Sequence, residues 1–356
     1  MKDFRSLSYE EIEEEMRLLG EPKYRASQVF LWLHKEKVPS PDFMTNLPMA
    51  LRVKLKENGD FRMPVIERVQ ESKLDGTRKY LFLLPDGNLI ESVLMRYHHG
   101  NTVCVSTQVG CRMGCRFCAS TLDGLVRSLK PSEILGQLYG IETDTGETVN
   151  HLVLMGAGEP LDNYSNVVSS LHIVTDARGR NFSARNITLS TCGLPEGILR
   201  LAEENIPLTL ALSLHAADDE TRRKLMPIAN RYTLSEVLDA CDHYYEKTGR
   251  RVTYEYSVVR GVNDTKEEAG ILGRLLTGRN AHVNLIPVNP VAERGFERPL
   301  ASELSAFQKT LAKYGINATI RRELGSDIDG ACGQFRRRVM KEELLEGTET
   351  GLQKEQ

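Results

Sequence analysis

The chain has no run of about eighteen apolar residues, the least a helix needs to cross a bilayer, although 40% of its 356 residues are hydrophobic. No membrane span is expected. Met1-Lys2-Asp3-Phe4-Arg5 leads into an acidic helix-like run rather than an apolar h-region, so no signal peptide is expected either. An even, dispersed set of cysteines is also missing: there are seven, and three fall within eight residues. That argues against a secreted disulfide framework and for a reducing cytoplasm. Strong charge of either sign is absent, the net being −3. The tail 341–356 holds two Lys against five Glu, which leaves the preceding 340 residues neutral overall. Within them Arg comes in clumps: Arg178 and Arg180, Arg222-Arg223-Lys224, Arg250-Arg251, Arg321-Arg322, Arg336-Arg337-Arg338. Clumped Arg can make a local groove for phosphate whatever the total charge, and a solvated helix face explains any single clump equally well.

What is present is organised in order. Ile12, Met16 and Leu19 recur at helical spacing up to Gly20, and a second helix follows Pro22 through His34. The pair makes a hairpin of the kind small nucleic-acid-binding modules use, or a simple packing hairpin. Asn46 is a candidate cap for a third helix through Lys56. The period then changes to two: Val65–Val69, Lys79–Leu84 and Leu89–Met95 predict a three-stranded meander with Asp75-Gly76 and Asp86-Gly87 in its turns. Glu91 shares a face with Leu89, Val93 and Met95, so it is either a buried carboxylate with a partner or an edge residue facing water. From about residue 100, seven strand candidates (Thr102–Ser106, His151–Met155, Asn186–Ser190, Leu208–Leu214, Val252–Val259, His282–Pro287, Asn317–Arg321) alternate with amphipathic segments. Repeated βα units predict an α/β fold, a partial (β/α)6-type barrel whose chemistry belongs at the C-terminal strand ends. The expected division is a helical module at 1–60, a β-meander extension at 61–98, the barrel core with a reactive Cys loop at 99–340 and an acidic tail at 341–356.

The first strand end carries Cys111-Arg-Met-Gly-Cys115-Arg-Phe-Cys118. Thiols at this density bind metal more often than they do anything else. A structural zinc closes its tetrahedron with four protein ligands, whereas a cubane cluster held by three Cys keeps one iron open to a small molecule. Cys104, His98 or His99 could complete a closed zinc site, which leaves a braced loop as the alternative. Small or polar residues follow at the other strand ends: Met155-Gly-Ala-Gly158-Glu159-Pro160, Ser190-Thr-Cys192-Gly, Ser213-Leu214-His215 and Asn289-Pro290. Near the C-terminus Cys332 lies between small residues in an acidic, glycine-rich loop, a setting for a reactive thiol. Cys241, within an amphipathic helix, reads as a small buried hydrophobe; Cys192 is ambiguous.

The C-x3-C-x2-C spacing, with Phe117 one place before the last Cys, resembles the signature of the radical S-adenosylmethionine (SAM) enzymes. Cys104, Met155-Gly-Ala-Gly-Glu-Pro-Leu-Asp-Asn163, Ser213-Leu-His-Ala216, Leu285-Ile-Pro-Val-Asn-Pro290 and Asp329-Gly-Ala-Cys-Gly-Gln334 together resemble the RlmN/Cfr family of RNA adenine methyltransferases over nearly the whole chain. The resemblance implies a [4Fe–4S] cluster on Cys111, Cys115 and Cys118. It further implies SAM, two per turnover, held by Gly158, Glu159, Ser190, Ser213, Leu214, His215 and Asn289. By the same resemblance Cys332 carries a methyl group as S-methylcysteine, Glu91 accepts a proton, and Cys104 releases the product through a transient disulfide with Cys332. The implied reaction is methylation of adenine C2, which is too electron-poor to attack a SAM methyl directly, at adenine 2503 of 23S rRNA and adenine 37 of some tRNAs. A flavodoxin- or ferredoxin-type donor and a monomeric enzyme are expected with it. Three alternatives stay open: methylation at C8 of the same adenine, as in Cfr-type antibiotic resistance, an RNA-binding protein braced by zinc, and a radical SAM enzyme acting on a small molecule or a protein.

Overall fold

Ten apolar or alternating segments pair into one sheet: β1 (Val65–Glu71), β2 (Arg78–Leu83), β3 (Leu89–Tyr97), β4 (Gly100–Cys104), β5 (Val149–Leu154), β6 (Ile187–Thr191), β7 (Thr209–Ser213), β8 (Val252–Val258), β9 (Ala281–Pro287) and β10 (Asn317–Ile320). The computed structural model describes residues 1–289, 295–329 and 333–342. Each strand pairs only with its neighbours in sequence, antiparallel from β1 to β4 and parallel from β4 to β10. A parallel sheet in unbroken sequential order winds in one sense, as a barrel does, and has no switch point. It stays open, because β10 and β1 are both edges. All seven expected parallel strands are present within a few residues of the predicted bounds. The meander turns form at Gly76 (φ 71°) and Gly87 (φ 87°), a backbone region that glycine enters without steric cost.

The crossovers are helical: α4 (Pro131–Thr145), α5 (Tyr164–Thr175), α6 (Pro195–Glu203), α7 (Asp219–Leu225), α8 (Leu234–Thr248), α9 (Lys266–Leu276) and α10 (Ala301–Lys313). They bury Leu138, Leu171, Leu201, Val237, Leu272 and Phe307 against strand residues such as Leu154, Leu189, Leu212, Tyr254 and Leu285. Cys241 is fully buried on α8, as its spacing predicts. A short antiparallel ribbon, Gln108–Gly110 with Leu125–Ser128, was not foreseen; at three and four residues it carries too little periodicity to read.

Ahead of the sheet come α1 (Tyr9–Leu18), α2 (Tyr24–His34) and α3 (Met49–Asn58). Ser8 and Glu11 form a reciprocal capping box at the start of α1. Ile12, Met16, Phe30 and Leu33 fill a core continuous with that of the barrel. Asn46 does not cap α3: its side chain accepts from Trp32 Nε1 at 2.6 Å, and Pro48 occupies the N-cap. The module is tied to α4 by polar contacts, Ser132 Oγ to Asp3 at 2.6 Å and Lys37 Nζ to Glu142 at 3.1 Å. Among the described residues no helix is long and apolar enough to cross a membrane.

His34 lies at this seam, fully buried, with Nδ1 3.1 Å from the Tyr139 hydroxyl. Burial, then the nearby Arg5 guanidinium, pushes its pKa down to about 3. The unfolded chain therefore binds a proton between that value and about 6.5 that the native state refuses, and stability falls with pH across that window. His34→Gln removes the titration. Its stability deficit against the wild type, read by urea unfolding, is expected to narrow by about 1 kcal/mol per pH unit from pH 6 to pH 4; a deficit independent of pH would refute this.

Candidate active site at the barrel mouth

Two adjoining cavities open at the C-terminal strand ends. The inner one, about 250 Å³, is walled by Cys111, Cys115 and Cys118 on one side and by Gly158, Ser190, Ser213, His215 and Glu255 on the other. The outer one, about 410 Å³, lies between β3 and the β9–β10 ends, with Cys104, Met95, Asn289, Arg298, Arg321 and Arg322 on its walls. Phe117, Cys118, Met155, Ser257, Ile286 and Arg321 line both.

The cysteine loop is shaped by close backbone contact. Gly110 has φ 76°, and a Cβ there would stand 2.0 Å from the Gly124 carbonyl oxygen. Cys111 N–H donates to that same oxygen at 2.9 Å. Thr121 Oγ1 donates to the carbonyls of Cys115 and Cys118 at 3.1 and 2.9 Å, closing the loop's far end. Burial pushes the Cys111 thiol up to about 12 and the Cys115 thiol well above its usual value, and thiolate charge on each neighbour adds to the rise. Such thiols stay protonated unless a cationic centre takes them. They wall a chamber rather than converge: among the described residues no three His, Cys, Asp or Glu side chains gather closely enough to hold one metal ion. Wholly buried Arg222, whose Nη1 has no hydrogen-bond partner among the described residues, adds positive charge beside Cys192 and Cys115.

His98 and His99 are not part of this site. They occupy the β3–β4 turn, where His99 stacks on Tyr97 at 5.0 Å. Four strand residues separate that turn from Cys104, a distance of about 13 Å. Cys104 lines the outer cavity, not the inner one.

The glycine loop is zipped onto the segment leaving β4. Gly156 N–H donates to Val105 O at 3.0 Å, Thr107 N–H to Ala157 O at 2.8 Å, and Glu159 N–H to Gln108 Oε1 at 2.9 Å. A Cβ on Gly156 would meet the Val105 carbonyl at 2.7 Å; one on Gly158 (φ 104°) would meet Gln108 N at 2.7 Å. The Glu159 carboxylate is buried and accepts from Cys192 N–H at 2.7 Å and Leu161 N–H at 3.1 Å, and burial raises its pKa. Its side chain thus braces two strand ends.

Of the remaining predicted residues, Ser190 Oγ and Ser213 Oγ lie 3.4 Å apart on the inner wall. His215 takes φ 59° and is buried, its ring edge-on to Phe117 with centroids 4.7 Å apart. Nδ1 accepts from Ser257 N–H at 2.9 Å, which assigns the ring proton to Nε2, and burial lowers its pKa to about 3. Asn289 is exposed on the outer cavity. Leu214 lines neither cavity: its side chain is in the core and its carbonyl accepts from Arg222 Nε at 3.3 Å. Glu91 is buried and does have a partner, Lys79 Nζ at 3.0 Å, and it lines neither large cavity. Cys332 lies outside the described residues, as does Pro290. Glu255 went unpredicted because it sits within an apolar strand run. Burial raises its pKa, and Asn284 Nδ2 donates to it at 2.9 Å.

The Arg clumps divide. Arg222 is wholly internal; Arg178 pairs with Asp176 and Glu10, and Arg180 with Glu142. Arg250 Nη2 donates to Thr209 Oγ1 at 3.1 Å. Arg337 and Arg338 face Asp123 and Asp329. Only Arg321 and Arg322 line the outer cavity, joined there by Arg298.

Residues 105–269 match the family model of the radical SAM superfamily, and residues 2–59 match that of the ribosomal RNA large subunit methyltransferase N-terminal domain. The chain is 54% identical over 342 residues to a probable dual-specificity RNA methyltransferase RlmN of Lachnospira eligens, spanning 96% of this chain and 98% of that one. It is 51% identical over 345 residues to a protein of the same description from Clostridium perfringens, at 97% and 99% coverage. Among solved structures, a radical SAM methyltransferase from Sphaerobacter thermophilus superposes with a TM-score of 0.89 at 41% identity, covering 94% of this chain and 99% of that one.

The zipped loop yields a direct test. Gly158→Ala adds a Cβ into Gln108 at a positive φ, so the loop must withdraw from the 105–108 segment. A stability loss of about 2 kcal/mol or more is expected in chemical denaturation, together with weaker SAM retention in equilibrium dialysis. Wild-type values for both would contradict the close approach.

Proposed function

The chain belongs to the RlmN family of radical SAM RNA methyltransferases, and from that premise we propose that it methylates carbon 2 of adenine 2503 in 23S rRNA and of adenine 37 in some tRNAs. The observation that carries the reading is the shared wall: three thiols and the glycine loop face one chamber, and Cys104 faces the next. In this reading Cys111, Cys115 and Cys118 hold the [4Fe–4S] cluster. The Gly158–Glu159 backbone, Ser190, Ser213, His215 with Leu214 behind it, and Asn289 hold SAM. When bound, cluster and SAM supply a 5′-deoxyadenosyl radical, two SAM being used per turnover.

The chain's own residues do the rest. Cys332, as thiolate, accepts a methyl group by displacement and presents it to the base as a thioether. His215, neutral at working pH, offers an Nε2–H donor inside the inner chamber and carries no charge there. Glu91 receives the proton that leaves the methylated adduct. Cys104 then attacks the Cys332 sulfur, frees the base and leaves a disulfide, which an external thiol reductant reopens. Arg298, Arg321 and Arg322 meet phosphate around a base splayed into the outer cavity. Residues 1–60 act as an RNA-binding accessory module, 61–98 as the linking extension, 99–340 as the catalytic core and 341–356 as a tail. The electron donor is of the flavodoxin or ferredoxin type, and the enzyme works as a monomer.

Cys332→Ala is expected to abolish 2-methyladenosine in rRNA of a strain that depends on this chain, read by nucleoside mass spectrometry. Wild-type yield would overturn the thioether, and 8-methyladenosine in the wild type would overturn the C2 assignment. Purified without oxygen, Cys118→Ala is expected to lose iron and sulfide; zinc in the wild type would favour the braced RNA binder instead.

A further inference from the structure

Lys79 on β2 is wholly buried, and an ammonium in that position costs several kcal/mol unless it is paired and hydrogen-bonded. Its Nζ stands 3.0 Å from Glu91 Oε2 and donates to the Asp329 carbonyl at 2.5 Å. Leu81 is opposite Glu91 in the ladder, so Lys79 is the diagonal cross-strand neighbour on the same face. Glu91 in turn accepts from Gly333 N–H through Oε2 at 2.7 Å and from Arg336 N–H through Oε1 at 2.6 Å. One ion pair therefore grips the backbone at Asp329 and again at Gly333, and Cys332 falls between those two positions in sequence. The β1–β2 hairpin adds further grips upstream: Gln70 Nε2 to Asp329 Oδ2 at 3.1 Å, Ser72 Oγ to Asp327 at 2.6 Å, and Gly325 N–H to Asp75 at 2.9 Å. Downstream, a Cβ on Gly333 (φ 80°) would lie 2.8 Å from Ser120 N, so this backbone rests directly on the end of the cysteine loop.

We propose that Lys79 is a positioning residue for the methyl-transfer chemistry: through the Glu91 carboxylate and the Asp329 carbonyl it fixes the chain on both sides of Cys332 against the cysteine loop. The proposal rests on the reading that Cys332 carries the methyl group. Lys79 lines neither large cavity, so its effect passes through Glu91 and the backbone rather than through contact with a substrate. The pairing also restricts what can replace it. A methionine keeps the volume and leaves Glu91 a buried carboxylate without its cation. An arginine keeps the charge and distributes its donors differently.

The test uses the full chain, purified without oxygen and loaded with its cluster. Lys79→Met and Lys79→Arg are compared with wild type for iron content, for the share of Cys332 carrying a methyl group by peptide mass, and for kcat and KM on rRNA fragments. Lys79→Met is expected to keep its iron and its KM within about twofold, while kcat and Cys332 methylation fall together by about tenfold or more; Lys79→Arg is expected to recover part of both. Should Lys79→Met fold poorly, the charge-neutral pair Lys79→Met with Glu91→Gln restores melting temperature, and Cys332 methylation alone is then read, a step that asks nothing of Glu91 as a base. Wild-type methylation of Cys332 in either background overturns the proposal. Activity in Cys332→Ala would instead overturn the reading beneath it, so the two failures are distinguishable.

Discussion

Ser106 is where the site is fastened together. Its Oγ donates to the Glu91 carbonyl at 2.7 Å and accepts from Ala157 N–H at 3.0 Å. Its backbone exchanges two hydrogen bonds with the Gln137 amide, at 2.8 and 3.0 Å, and Gln137 also accepts from Ser92 Oγ at 2.7 Å. The Ser106, Gln137 and Ser92 side chains are all buried, and buried polar networks of this kind are favourable only when every member is satisfied. Through this network β3, the segment leaving β4, the glycine loop and α4 share one fixed geometry. The glycines at 156 and 158 follow from it, because no side chain fits where two backbones lie this close.

The second constraint is topological. A sequential parallel sheet that does not close must expose its first and last strands, and here the antiparallel extension covers the β4 side while β10 stays an edge. The chain leaving β10 then crosses to the β1–β2 hairpin, where Asp75, Ser72 and Gln70 receive residues 325–329. The helix over 334–342 returns apolar side chains, Phe335 and Val339, against Leu81 and Leu89. The outer cavity is the space left under that crossing. Its basic wall at Arg321 and Arg322 is the start of the same segment, so the residues that would meet RNA and those flanking Cys332 are carried by one continuous stretch.

Much of this was legible from residue chemistry alone. Three thiols in eight residues, a Gly-Ala-Gly turn and seven apolar runs are unusual enough to place the cysteine loop, the inner chamber and the barrel without coordinates. Glu91 was recognisable as a carboxylate on an apolar face, but its partner was not, since Lys79 reads as one more charged residue until strand register brings it diagonal to Glu91. Asn46 had the right chemistry for a cap, yet Trp32, fourteen residues earlier, claims its side chain. Ser213 and His215 line the inner chamber while the Leu214 side chain between them packs in the core, a difference that the motif by itself does not show.

The basic clumps teach the same lesson about charge. Arg222-Arg223-Lys224 looks in sequence like a phosphate-binding patch, yet Arg222 is spent inside, its Nη2 on the Cys192 carbonyl at 2.7 Å and its Nε on that of Leu214. A guanidinium buried there holds two strand ends at fixed spacing and sets a positive charge behind Cys115, which a protonated thiol does not need and a thiolate does. Clumping in sequence thus says nothing of which Arg reaches solvent. What separates Arg222 from Arg321 is where each is carried: on α7, with its side chain buried, in one case, and just past the rim strand of an unclosed sheet in the other. The basic wall of the outer cavity is consequently a property of the sheet's open edge, and it follows from the same missing strand pair that leaves room for that cavity.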